Sequence, residues 1–335
     1  RGFDTSSVTN MQRMFYGCSA LTTLNVSSFD ISNVTDMQYM FYNCSKLTVL
    51  NLSNFKTQNV KDMQYMFYGC SALTTLNVSS FDTSNVTDMQ YMFYNCNKIT
   101  GLNLSGFNTS SVTNMQRMFY ACHSLESLDV SNFNTSKVTN MYTMFFECML
   151  LKELDVSNFD TSNVTTMNNM FNGCMGLTSL DLSNFDTSNV TDMTGMFGYC
   201  TGLTSLDLSN FNTSKTESLY GMFYDVSKLK SIIVSNKFYP GAYKTSEVRE
   251  IFKGAINLSK IIVTSKTPNG DQFGKIADQA SNITFYVPNE GYEEYKKAWT
   301  INVAIEPIIK LNGNKNELLA IGEEYTEAGA NFLQE

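Results

Sequence analysis

The stretch FDISNVTDMQYMFYNCSKLTVLNLSN, residues 29–54, decides the fold, because the chain repeats it. Cysteines fall at Cys18, Cys44, Cys70, Cys96, Cys122, Cys148, Cys174 and Cys200, each 26 residues after the last. Phenylalanines keep the same beat from Phe3 and Phe29 to Phe185 and Phe211. A fixed period of this size is the signature of stacked supersecondary units, not of a globular enzyme core. Such a stack grows in one dimension, so 335 residues need not mean two ordinary domains.

Within residues 29–54 two patterns alternate. Leu50 and Leu52 flank Asn51 with a period of two, which reads as a short strand. Met37, Met40, Phe41 and Cys44 sit at i, i+3, i+4 and i+7, which reads as the inner stripe of a two-turn helix. Thr35 with Gln38 has the form of a capping box. Asn43, like Gly17, Gly69, Asn95 and Gly173, stands where a left-handed residue would end the helix. The expected fold class is therefore an α/β repeat solenoid, with parallel short strands on one face and short helices on the other. Helices need about 8–10 Å against about 4.8 Å for strands, so such a stack would curve.

Composition narrows the function classes. Charged residues are 16% of the chain and the net charge is −8, with the basic residues scattered. No nucleic-acid footprint is present. No apolar run reaches the length of a membrane span. The chain opens at Arg1 in mid-repeat and is read as a piece of a longer protein, so its ends carry no information on targeting.

The longer pattern, L-[ND]-[VL]-S-x-F-[DN]-T-S-x-V-T-x-M-x-x-M-F-x-x-C over residues 1–234, resembles the 26-residue repeats of BspA-like leucine-rich-repeat surface proteins. That resemblance implies a solenoid exported to the cell surface or cell wall and used in adhesion, with no catalytic motif. The pattern loosens at Phe211, and 235–303 are read as irregular terminal repeats and a cap, closing on a strand and an amphipathic helix within 282–299. Residues 304–335 resemble the opening of a bacterial immunoglobulin-like module, too short to complete one.

Candidate sites are weighed against plainer readings. The cysteine slot also accepts Val226 and Ala255, so it asks for a small apolar group: buried free thiols, no metal, no cofactor. His123 is the sole histidine and has no second ligand or base partner to work with. Many N-x-[ST] triplets, such as those at Asn25, Asn33, Asn51 and Asn85, repeat with the unit and record its consensus. Two surface features stand out. Tyr39, Tyr42, Tyr65, Tyr68, Tyr91 and Tyr94, extended by Tyr16 and Tyr120, form a ladder opposite the buried stripe. Tyrosine is enriched in interfaces, although the rings could simply pack on one another. Asn25, Asn51, Asn77 and Asn103 give way to Asp129, Asp155, Asp181 and Asp207 in an outward strand column, where stacked carboxylates repel. The expected function is adhesion: a monomeric, non-enzymatic module binding a host protein, matrix protein or glycan. The competing reading is a passive stalk.

Overall fold

A computed structural model describes residues 3–240, 250–273 and 282–300, and the backbone of 305–308. The chain winds as a parallel solenoid. Short strands β1 (Val49–Asn51), β2 (Thr75–Asn77), β3 (Gly101–Leu102), β4 (Ser127–Leu128), β5 (Ser205–Leu208), β6 (Ser231–Val234), β7 (Lys260–Val263), β8 (Thr284–Pro288) and β9 (Ile305–Ile308) line one side. Every pairing is parallel; those up to β6 keep the 26-residue period, as in Leu50 with Leu76 and Leu206 with Ile232, and those from β6 to β9 depart from it. A core runs the length of the stack. Leu50, Leu76, Leu102, Leu128, Leu154, Leu180 and Leu206 are all buried in one column, as the strand pattern predicts, and Leu24 at its N-terminal end is half-buried.

The side expected to be helical is built differently. Residues 37–44 form turns, not a helix. Tyr39 (φ 57°) and Asn43 (φ 55°) take the left-handed conformation, which cannot propagate a right-handed helix. The backbone N–H groups then alternate. Tyr39, Phe41 and Asn43 donate to Gln64 O (3.0 Å), Met66 O (2.9 Å) and Tyr68 O (2.7 Å) on the next rung. Met40, Tyr42 and Cys44 donate within the turn, to Met37 O, Tyr39 O and Phe41 O. Both sides of the solenoid therefore stack at strand spacing, and the packing mismatch that would force curvature does not arise.

This turn side is the more continuous one. Parallel bridges run unbroken from Asn10 through Asp36, Asp62, Asp88, Asn114, Asn140, Thr166 and Asp192 to Ser218. The strand side falls into separate ladders, β1–β2, β3–β4 and β5 to β9. Among the described residues no strand ladder joins the Asp155, Asp181 and Asp207 rungs, where carboxylates stack.

Three side-chain ladders tie rungs together. Buried threonines two residues after the phenylalanines, in every rung but that of Ile31, donate Oγ1–H to a carbonyl of the next rung, as Thr109 does to Asn134 O (2.9 Å). Asn134 N–H returns a bond to that hydroxyl (2.7 Å). Asparagines such as Asn33 and Asn85 donate back to Ser6 O (2.8 Å) and Gln58 O (2.7 Å), which gives the N-x-T triplets a structural role. Each cysteine from Cys44 to Cys200 points its thiol at a phenylalanine carbonyl of the rung before, as Cys96 does at Phe67 O (3.3 Å). The eight thiols are free and all but Cys18 are buried.

At the C-terminal end, β8 and the helix α1 (Tyr292–Ala298) occupy the segment where a strand and a helix are expected. Tyr295 and Trp299 close the core edge-on at 4.8 Å, and Tyr295 Oη donates to Ser265 O and Thr267 O. β9 adds parallel to β8, so Ile305–Ile308 continue the same sheet. The remainder of the segment read as an immunoglobulin-like module, 309–335, lies outside the described residues.

Candidate functional site: a stacked tyrosine face

The turn conformation brings the predicted tyrosines closer than helices would allow. Tyr16, Tyr42, Tyr68, Tyr94 and Tyr120 stack ring on ring at 4.7, 4.5, 4.4 and 4.5 Å, and Phe146 ends the column at 4.6 Å. Tyr39, Tyr65 and Tyr91 form a second column at 4.6 and 4.5 Å. The columns are tilted together, with Tyr39 and Tyr42 at 5.6 Å. Stacking at this distance buries the ring faces and leaves edges and hydroxyls outward. Burial pushes the Tyr65 phenol up to about 12, with Tyr91 and Tyr39 adding to it, so the Tyr65 hydroxyl stays protonated and can donate.

Two arginines complete the second column, in the slot the tyrosines hold. Arg13 lies 5.2 Å from the Tyr39 ring, and Arg117 lies 5.2 Å from Tyr91 and 4.9 Å from Tyr142. Arg117 donates to the Tyr91 and Tyr142 hydroxyls. Neither arginine meets a carboxylate among the described residues. Sequence reasoning passed over both, although the 26-residue register places them in line with Tyr39.

Beside the tyrosines runs a polar rail. Gln12 donates to Gln38 Oε1 (3.1 Å), Gln90 to Gln64 Oε1 (2.7 Å) and Gln116 to Gln90 Oε1 (3.0 Å). Gln38, expected to close a capping box with Thr35, belongs to this rail. The residue two before each glutamine makes the turn: Asp36 Oδ1 accepts the Gln38 N–H at 2.9 Å, and Asn10 and Asn114 accept those of Gln12 and Gln116. Asp36, Asp62 and Asp88 stack in that position. Burial raises Asp62 and Asp88 above the ordinary carboxylate range, and each preceding aspartate adds to the rise.

The other predicted column, Asp129, Asp155, Asp181 and Asp207, faces outward on the strand side. Each carboxylate accepts the backbone N–H two residues on, from Ser131 (2.9 Å), Ser157 (3.0 Å), Ser183 (2.9 Å) and Ser209 (2.9 Å). Asn25, Asn51, Asn77 and Asn103 make the same turn with the same oxygen. The Asn-to-Asp change therefore leaves the turn intact and alters only charge. Hydrogen bonds from Ser131 and Ser157 hold Asp129 and Asp155 below the usual range. Among the described residues no cluster of His, Cys, Asp and Glu could hold a metal ion, and no helix is long and apolar enough to cross a membrane. His123 contacts Glu147 at 3.1 Å in a loop.

Residues 1–101, 71–153 and 146–265 match the model of a family described as Mycoplasma protein of unknown function, DUF285. The chain belongs to this family. Its 26-residue repeat is the one that resembles the BspA-like surface proteins. Among solved structures, it is similar to a leucine rich cell surface protein from Faecalibacterium prausnitzii A2-165, at 17% identity and a TM-score of 0.31, covering 88% of this chain and 81% of that one. It is also similar to the pneumococcal vaccine antigen PcpA, at 13% identity and a TM-score of 0.27, covering 87% and 67%. Neither score marks two chains that superimpose as wholes. No curated protein matches.

Proposed function

We propose that this chain is a cell-surface interaction module whose tyrosine face, Tyr39, Tyr42, Tyr65, Tyr68, Tyr91 and Tyr94, binds a protein. The observation that carries this reading is the double ring column bracketed by Arg13 and Arg117. Stacked rings lose little further rotamer freedom on binding, and tyrosine and arginine dominate interface hot spots. A protein fits better than a glycan, because the ring faces on which a sugar would lie are already covered. The surface location follows from the resemblance to exported repeat proteins. The aspartate column is the weaker candidate, since its geometry repeats that of the asparagines before it.

The test uses the whole chain against a panel of host, matrix and glycan ligands. Replacing the six tyrosines by Phe keeps the stack and removes the hydroxyls, and should weaken binding more than tenfold, or about 1.4 kcal/mol. Asp129, Asp155, Asp181 and Asp207→Asn should matter only if binding also weakens with salt. If neither set changes affinity tenfold, both assignments fail. If the panel yields no partner, the stalk becomes the better reading.

A further inference from the structure

We propose that the tyrosine face pairs with the same face of a second copy of this chain, side by side and pointing the same way. This names a partner for the site proposed above and rests on reading that face as an interface.

Pitch is the first argument. The rings recur every 4.4–4.7 Å along the stack. An extended peptide presents same-face side chains about every 6.6 Å and a helix one turn every 5.4 Å. Both drift out of register within two rungs. A second copy has the same pitch and meets every rung.

Symmetry is the second. A two-fold axis parallel to the solenoid lays the column Tyr16, Tyr42, Tyr68, Tyr94, Tyr120 over the column Arg13, Tyr39, Tyr65, Tyr91, Arg117 of the second copy, rung on rung. Each arginine then faces a tyrosine, the pairing it already makes in its own chain with Tyr16 and Tyr120. The antiparallel alternative would set Arg13 against Arg117 of the second copy.

Charge is the third. In chain order Asp36 and Asp88 come before the two columns, and the exposed Lys46 and Lys98 come after them, on the same two rungs. The parallel two-fold brings Asp36 opposite Lys46 of the second copy, and Asp88 opposite Lys98. Neither lysine has an ion pair among the described residues. A face of five rungs at about 4.8 Å is shorter than the roughly 800 Å² per partner of a standard interface requires. Pairing is therefore weak in dilute solution, where the chain is a monomer, and strong where many copies share one surface.

Sedimentation velocity from micromolar to about millimolar chain tests this. The unmodified chain should associate. Lys46→Glu with Lys98→Glu should weaken association at least tenfold without changing the melting temperature. Adding Asp36→Asn and Asp88→Asn should recover most of that loss, because Asn10 and Asn114 hold the same turn. In a mixture of isotope-labelled and unlabelled chain, carbodiimide should join Asp36 of one to Lys46 of the other. Absence of concentration dependence up to a millimolar, or association that ignores the lysine changes, overturns the proposal. A foreign partner lost on the Tyr→Phe changes, with no self-association, would keep the face and remove the pairing.

Discussion

Thr109 closes two hydrogen bonds with one hydroxyl, to Asn134 O and from Asn134 N. Thr109→Val keeps the shape and leaves two buried backbone groups unpaired, so urea melts should show a loss of about 2–3 kcal/mol. Thr109→Ser should lose much less. Nothing in the sequence singled out this slot, because Ile31 fills it in one rung and a threonine in a polar run reads as a loop residue. The thiols were legible, because Val226 and Ala255 in the same slot mark it as small, apolar and buried. Rungs at strand spacing lie within the reach of a disulfide, so distance does not keep successive cysteines apart. Burial and the directed S–H bond do. Burial pushes Cys44 up to about 11 and Cys122 and Cys200 up to about 12. A thiol reagent at pH 8 should modify Cys18 in the native chain and all eight cysteines once it is unfolded. Asp62 and Asp88 give a pH dependence of unusual sign. Their folded pKa values lie above the unfolded one, so the folded state binds protons more readily. Their charged forms cost stability at neutral pH, and that cost disappears as the pH falls below the raised values. Asp62→Asn should stabilise the chain by about 0.5 kcal/mol at pH 7, after allowance for solvent screening, and by nothing at pH 3. Asp129 and Asp155 act in the opposite sense: their contribution is present at neutral pH and is lost as the pH falls through their lowered values.

At the level of the element, the strand was legible and the turn was not. Inward residues at Met37, Met40, Phe41 and Cys44 fit a 3.6-residue period. They fit equally a four-residue period of turns with left-handed residues at Tyr39 and Asn43. Eight residues cannot separate the two. The discriminating signal lay further along the chain, where Asn169, Gly195 and Gly221 replace Tyr39 in the same slot. Those residues favour a left-handed backbone and have no reason to recur inside a helix. Thr143 holds that slot at φ 50°, a strained choice for a β-branched residue. Thr143→Asn should raise stability by about 0.5–1 kcal/mol in a thermal melt, whereas in a helix the exchange is neutral. The same misreading hid the spacing of the tyrosine face. The period aligned Tyr42, Tyr68 and Tyr94, but helices at 8–10 Å would have left gaps between rings that in fact touch. Tyr68→Ala removes a ring held between two others and should cost about 2–3 kcal/mol, while Tyr68→Phe should leave the melt nearly unchanged.

Across the whole molecule, the two sides of the solenoid divide the work. The turn side carries the unbroken ladder and the tyrosine face, and the strand side carries the acidic column and the breaks. Residues 1–120 hold seven basic and six acidic residues, against six and twelve in 121–240. The aromatic, nearly neutral half and the acidic half are thus separate surfaces on one scaffold. That scaffold is specified by repetition, since Met14–Asp30 and Met66–Asp82 are the same 17 residues. Residue-resolved amide hydrogen exchange tests the central claim that the turn side is the spine holding this face. Tyr39, Phe41, Asn43, Tyr65, Phe67, Tyr91 and Phe93 should exchange most slowly, at the rate of global unfolding, because each donates to the next rung. The amide of Leu180, on a strand rung without a bridge to either neighbour among the described residues, should exchange faster. Uniform protection of every amide from Met40 to Cys44 by i−4 carbonyls, or slowest exchange on the strand side, would contradict it.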